Sequence, residues 1–219
     1  VILKKADIIL EPEERKALFF RAAQIHEEVL DDLEAAIRVY QLVLDLDDTD
    51  AAAIEALERL FARLERWESL KDIFARKVEL AQDVSDKKQF LYRLGSLYEE
   101  QLADLERAIE TFQGVIDLDP EDRHAIRALD RLFQQAARWY DLLPILERQV
   151  ELAGPSVEAV DLRHRVGKLW ETELGDQARA VETYREVLAI DPNHEPTLRA
   201  LDAIVHGNTE PVAAAIVLE

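Results

Sequence analysis

The residue types able to do chemistry are few, and their spacing does not assemble them. Five histidines occur, His26, His124, His164, His194 and His206. None stands four residues from another, the helical spacing that lets two imidazoles share a metal. Cysteine is absent, which excludes thiolate nucleophiles, thiolate metal sites and disulfides. Asp45, Asp47, Asp48 and Asp50 resemble the start of a calcium loop. Such a loop needs glycine at its sixth place and glutamate at its twelfth, where Asp50 and Ala56 stand. The six glycines do not cluster, so no loop can cradle a phosphate. Ser, His and Asp show no arrangement that reads as a nucleophilic triad. Trp67, Trp139 and Trp170 fall where helices need core aromatics. The sequence therefore predicts no catalytic residue, no metal ligand and no cofactor.

The elements that carry these residues follow from composition and periodicity. The chain has 219 residues, 46 acidic against 27 basic, for a formal net charge of -19, and is 48% hydrophobic. That balance suits a globular chain. The acidic excess repels phosphate backbones and argues against nucleic acid as a partner. No apolar run approaches the ~20 residues of a membrane span, and no signal peptide is visible. With neither, a cytoplasmic location is the expected one. The chain begins Val1-Ile2-Leu3 and contains no Met, which reads as an excised piece of a longer protein, with recoding as the alternative.

The sequence repeats itself at one fixed interval, the step that leads from Ala23 to Gly95 and again from Gly95 to Gly167. The same step links Ala36, Ala108 and Ala180, then Tyr40, Phe112 and Tyr184, then Asp47, Asp119 and Asp191, then Leu57, Leu129 and Leu201. Trp67 matches Trp139, and Val78-Glu79-Leu80-Ala81 matches Val150-Glu151-Leu152-Ala153. Self-similarity at a fixed period signals repeat architecture. Each period reads as four helices and no strand. In the middle copy Ser85 is expected to cap a helix running to about Leu102, and the next helix spans about Leu105 to Leu118. Asp119-Pro120 stops it, Pro120 opens a third helix, and the fourth runs from near Trp139 to Gly154. If Asp141 caps that helix, Pro144 falls harmlessly in its first turn; otherwise it kinks the helix. One hairpin cannot bury its apolar face, whereas a stack of hairpins can. The expected boundaries are residues 1–10 for the end of a preceding unit, then 12–82, 84–153 and a truncated 156–219. Val1 to Leu10 and Pro211 to Glu219 read as the end and the start of a fourth helix. Their apolar residues make poor caps and offer a route to self-association.

At this point the residues resemble the tetratricopeptide repeat, whose pattern is W-x2-L-G-x2-Y, then A-x3-F, then P. The middle copy reads Leu94-Gly95-x2-Tyr98, Ala108-x3-Phe112, Pro120, and the last reads Val166-Gly167-x2-Trp170, Ala180-x3-Tyr184, Pro192. The first departs from it, with Ala22-Ala23-x2-His26, Ala36-x3-Tyr40 and Asp48. The interval from Tyr98 to Ala108 is one residue longer than the family norm. The second hairpin of each period is a divergent unit that keeps large apolar residues such as Leu57, Phe61, Leu70 and Phe74. It replaces the motif glycine by Glu58, Asp130 and Asp202.

The resemblance implies an all-α right-handed superhelix of about six units arranged as three double repeats. It also implies a non-enzymatic scaffold whose concave groove, lined by the first helix of each hairpin, holds a peptide or partner protein. The groove places carry Glu27, Glu28, Tyr92, Glu99, Glu100, His164, Lys168 and Glu171 in the first hairpins, and Arg59, Arg63, Arg127, Arg131 and Arg199 in the second. The groove is thus expected to alternate acidic and basic ribs. These charges either pair with one another, for ~0–1 kcal/mol per exposed pair, or hold a segment of mixed charge whose carboxylates meet Arg59, Arg127 and Arg131. Chaperone-binding members use Lys and Asn to hold a terminal carboxylate. The corresponding places here are Gln24, Arg59, Ser96, Arg131 and Lys168, without Asn. Two further readings are a structural array that self-associates, and an adaptor region whose active domain lies elsewhere in its parent protein.

Overall fold

The computed structural model describes residues 2–6 and 8–207, which form helices joined by short turns, with no strand among them. Contacts divide the chain into two compact units, Val1–Thr111 and Phe112–Glu219. The first contains α1 (Ile2–Ala6), α2 (Pro12–Gln24) continued by a π-helical turn (Ile25–Val29), α3 (Leu33–Leu46), α4 (Ala51–Arg63), α5 (Trp67–Leu80) and α6 (Val84–Glu100). Helix α7 (Leu105–Leu118) spans the boundary, and the second unit continues with α8 (Arg123–Gln135), α9 (Trp139–Ala153), α10 (Val157–Thr172), α11 (Gln177–Ile190) and α12 (Glu195–Gly207). The sequence stretch 211–219, expected to begin a further helix, lies outside the described residues.

Two kinds of hairpin turn recur among the described residues. The turn inside the first hairpin places Asp31, Ala103 and Gly175 at positive φ, with values of 49°, 51° and 67°. The backbone N–H of the following residue, Asp32, Asp104 or Asp176, reaches back six residues to the carbonyl of His26, Tyr98 or Trp170. Left-handed residues closing a helix in this way satisfy its last carbonyls. This wide turn absorbs the extra residue noted between Tyr98 and Ala108. The carboxylates of Asp32, Asp104 and Asp176 then accept the N–H three residues on, from Ala35, Arg107 and Arg179, and so cap the next helix. The turn inside the second hairpin uses Glu65 and Ala137 at φ 53° and 52°. There Arg66 and Arg138 N–H groups reach back five residues to Phe61 and Phe133.

Three local expectations are corrected. Asp83, not Ser85, caps α6: its carboxylate accepts the Asp86 N–H at 2.8 Å, and the helix ends at Glu100. Pro120 does not open α8. It sits in a turn where Asp119 accepts the Glu121 N–H, and Asp122 caps the helix through the His124 and Ala125 N–H groups. Asp141 does not cap α9, which starts at Trp139 after Arg138, so Pro144 lies inside it. There it has no N–H to give the carbonyl of Tyr140.

Each unit buries its own core. In the first unit Tyr40, Val43, Leu57 and Leu60 are fully enclosed, and in the second Ile126, Leu129, Phe133, Leu142, Leu146 and Tyr184 are. Every such side chain contributes about 1.5–3 kcal/mol of burial. Close helix approach is visible at Gly167, where an added Cβ would lie 2.5 Å from Cε1 of Tyr184. The motif glycine and the motif aromatic are therefore two halves of one contact.

Candidate protein-binding site

The first helices of neighbouring hairpins lie close enough for their side chains to meet. In the first unit Glu27, on the π-helical turn, accepts Arg59 from α4 at 2.6 Å and the Tyr40 hydroxyl from α3 at 3.2 Å. Burial and the Glu27 charge push the Tyr40 phenol up to about 12. Arg59 keeps 63% of its side chain exposed although it is paired. Arg63 stands 3.6 Å from Asp31, and both are exposed. On α6, Tyr92 and Glu99 are half-buried and Glu100 is exposed. Glu28 and Glu100 are carboxylates with no ion partner among the described residues.

The second unit is arranged with the opposite sign outermost. Arg127 and Arg131 are exposed on α8. His164, Lys168 and Glu171 follow one another along one face of α10 at helical spacing. Glu171 accepts the Tyr184 hydroxyl at 2.7 Å, repeating the Glu27–Tyr40 bond two periods earlier. Arg199 bonds Glu195 on its own helix at 2.7 Å rather than a neighbouring rib. Arg127 and Lys168 are exposed cations without an ion partner among the described residues.

The Asp45–Asp50 segment holds a lysine instead of a metal geometry. Asp47 and Asp50 stand 2.8 and 3.3 Å from Lys16 Nζ, and the hydrogen bonds from Lys16 and Thr49 bring Asp47 down to about 2.

Two constellations escaped the sequence reading. The first is a carboxylate clamp at the places where the motif glycine is replaced. Glu58 on α4 takes Lys77 from α5 and, at 2.5 Å, Arg93 from α6. Asp130 on α8 takes Gln149 from α9 at 2.9 Å and both guanidinium arms of Arg165 from α10 at 2.8 and 2.5 Å. The signal was present as one acid-to-arginine interval shared by Glu58–Arg93 and Asp130–Arg165. The second is a histidine pair. His164 on α10 and His194, just before α12, both direct Nδ1 at Thr197 Oγ1, at 2.9 and 2.8 Å. His194 Nε2 meets Asp161 at 3.1 Å. The imidazole of His164 also stacks on the Tyr184 ring, centroids 5.4 Å apart. No repeated spacing announces this cluster, because Asp50, Asp122 and Ala53, Ala125 occupy the places of His194 and Thr197 in the other copies.

The tetratricopeptide repeat family matches residues 89–122 and 171–194. Superkiller protein 3 of Schizosaccharomyces pombe is 27% identical over 162 residues, 73% of this chain, and the chain spans only 11% of that protein's length. Among solved structures, YrrB, described as a tetratricopeptide protein with an unusual peptide-binding site, is 18% identical, with 84% of this chain and 90% of that one covered at a TM-score of 0.44. MamA from Desulfovibrio magneticus RS-1 is 14% identical, with 82% and 96% covered at a TM-score of 0.41. Among the described residues no helix is long and apolar enough to cross a membrane. Residues 89–122 and 171–194 match the tetratricopeptide repeat family, and the described residues form an all-helical fold of hairpins like those repeats.

Proposed function

We propose that the chain is a non-enzymatic scaffold whose units each hold a charged segment of a partner protein on the first-helix faces of their own hairpins. The supporting observation is the division of unpaired charge. In the first unit Arg59 and Arg63 are already occupied by Glu27 and Asp31, leaving the carboxylates Glu28 and Glu100 available. In the second unit Arg127 and Lys168 are the exposed groups, with Arg131 beside Arg127 on α8. On the second unit a bound segment would give carboxylates to Arg127 and Lys168, with His164, Glu171 and Arg199 along the same faces; on the first unit a bound segment would give cations to Glu28 and Glu100, with Tyr92 and Glu99 beside them. Exposed charge pairs of this kind contribute about 0–1 kcal/mol each, so several act together.

Selection from a displayed random-peptide library tests the reading. Enriched peptides should carry acidic residues, and Arg127→Glu with Lys168→Glu should weaken them by roughly 10-fold or more while far-ultraviolet circular dichroism stays unchanged. A library that yields no binder, or binders indifferent to the double reversal, overturns it.

A further inference from the structure

The histidine pair in the second unit has a hydrogen-bonding direction that the geometry fixes. A carboxylate only accepts, so His194 carries its proton on Nε2 toward Asp161. With His194 neutral, its Nδ1 is then an acceptor and must receive the Thr197 hydroxyl proton. The Thr197 oxygen is left as acceptor for His164, which must carry its proton on Nδ1. The chain of donors therefore runs from His164 through Thr197 and His194 to Asp161. His164 Nε2 is left as a bare lone pair on the half-buried face of α10, with no partner among the described residues.

One added proton reverses this chain. Placed on His194, where the Asp161 carboxylate balances the charge, it makes Nδ1 a donor. Thr197 must then accept from His194 and donate its own hydroxyl proton to His164 Nδ1. His164 stays neutral only by moving its proton to Nε2. We infer that the His164–Thr197–His194–Asp161 chain is a proton-operated selector, which turns His164 Nε2 from acceptor to donor on acidification and so changes which partner groups the α10–α12 face accepts. This regulation rests on the protein-binding reading of that face. Near neutral pH the face favours a partner hydroxyl, amide or ammonium at His164, and in acid it favours a carbonyl or carboxylate.

The surroundings oppose the alternative of charging His164 itself. Burial, then the neighbouring His194, then Lys168 lower its affinity for a proton, against the weaker pull of Asp161 and Glu171. The ring stacks on Tyr184 of α11 and lies tilted against His194, centroids 5.4 and 5.3 Å away. Asp130 of α8 reaches α10 and is taken up by Arg165. Thr197 is fully buried and His194 nearly so, which protects the chain from exchange with water.

Two-bond proton–nitrogen spectra of the whole chain with labelled histidine read the tautomers directly, without any partner. At pH 7.5 His164 should show the Nδ1–H form and His194 the Nε2–H form. As the pH falls, His164 should pass to neutral Nε2–H. Thr197→Ala, which installs the residue found at Ala53 and Ala125, should uncouple the two rings. An Nε2–H form of His164 already present at pH 7.5, His164 charging first, or an unchanged tautomer switch in Thr197→Ala would each overturn the relay. The peptide selection repeated at pH 7.5 and 5.5 then tests its consequence. Different peptides at the two values support the selector, and identical ones alongside an intact tautomer switch overturn it. Absence of peptides at both values counts against the binding reading alone.

Discussion

The first and last copies of the first hairpin were built from the same pattern and settled differently. In the last copy Gly167 sits against the Tyr184 ring, α10 is regular α-helix, and Trp170 is covered by Arg179 at 4.5 Å and edge-on by Tyr140 at 6.4 Å. In the first copy Ala23 stands in the glycine place, His26 in the aromatic place, and the helix passes into a π-helical turn over Ile25–Val29. Tyr40 there meets Phe20 edge-on at 5.3 Å, whereas Tyr184 stacks on His164. His26 Nδ1 is buried without a hydrogen-bond partner among the described residues. Both copies nevertheless keep the tyrosine-to-glutamate bond and the left-handed turn. The comparison separates what the hairpin needs, a turn and a central aromatic, from what lets its first helix stay regular, a glycine and an aromatic one turn later.

The largest expected contrast is at the helix crossing. Gly167→Ala should destabilise by about 2 kcal/mol, since the new methyl must displace a buried ring. Ala23→Gly should change stability by no more than the ~1 kcal/mol of helix propensity. Urea unfolding of both variants measures this, and a harmless Gly167→Ala would dissolve the distinction. Next come the hydroxyls. Tyr184→Phe and Tyr40→Phe should each lose about 1 kcal/mol, more at Tyr184, whose bond is the shorter. Ultraviolet titration should find Tyr40 ionising at about 12. The unfolded phenol ionises near 10, so this group's contribution is complete below that value and is lost as the pH rises from there through about 12.

The pH response of the two copies should also differ. His164 binds its proton less readily in the folded chain than in the unfolded one. Its contribution is therefore complete above the ordinary histidine value and is lost as the pH falls below it. The urea midpoint of the chain should drop between pH 7.5 and 5.5, and His164→Tyr, the residue at Tyr92, should flatten that drop. The smallest effect belongs to His26→Tyr, expected to gain a few tenths of a kcal/mol up to ~1 by replacing a buried, unpartnered nitrogen with the motif aromatic.

Repetition decided how much could be read from residues alone. The constant step between copies exposed the hairpins, the motif glycine and the central aromatics, because packing demands the same small and large volumes in every copy. Helix starts were less legible. Asp83 and Ser85 are both good caps, and only backbone geometry shows which carboxylate or hydroxyl faces a free N–H. Charged positions were legible as positions but not as partnerships. Arg59 and Arg127 look alike in sequence, yet one reaches Glu27 and the other reaches no described carboxylate. The histidine cluster was invisible because it departs from the repeat, and periodicity reports only what recurs.

The carboxylate clamps bear on how such a chain can grow or be rebuilt. Glu58 binds Arg93 and Asp130 binds Arg165, each joining the second hairpin of one period to the first hairpin of the next. A single hairpin copied or deleted by recombination would leave a mostly buried acid, Glu58 or Asp130, without its arginine, which is destabilising. A copied block of one whole period carries both halves of the clamp in register. The smallest exchangeable module is therefore one whole period, and libraries assembled from this chain should exchange whole periods and never single hairpins.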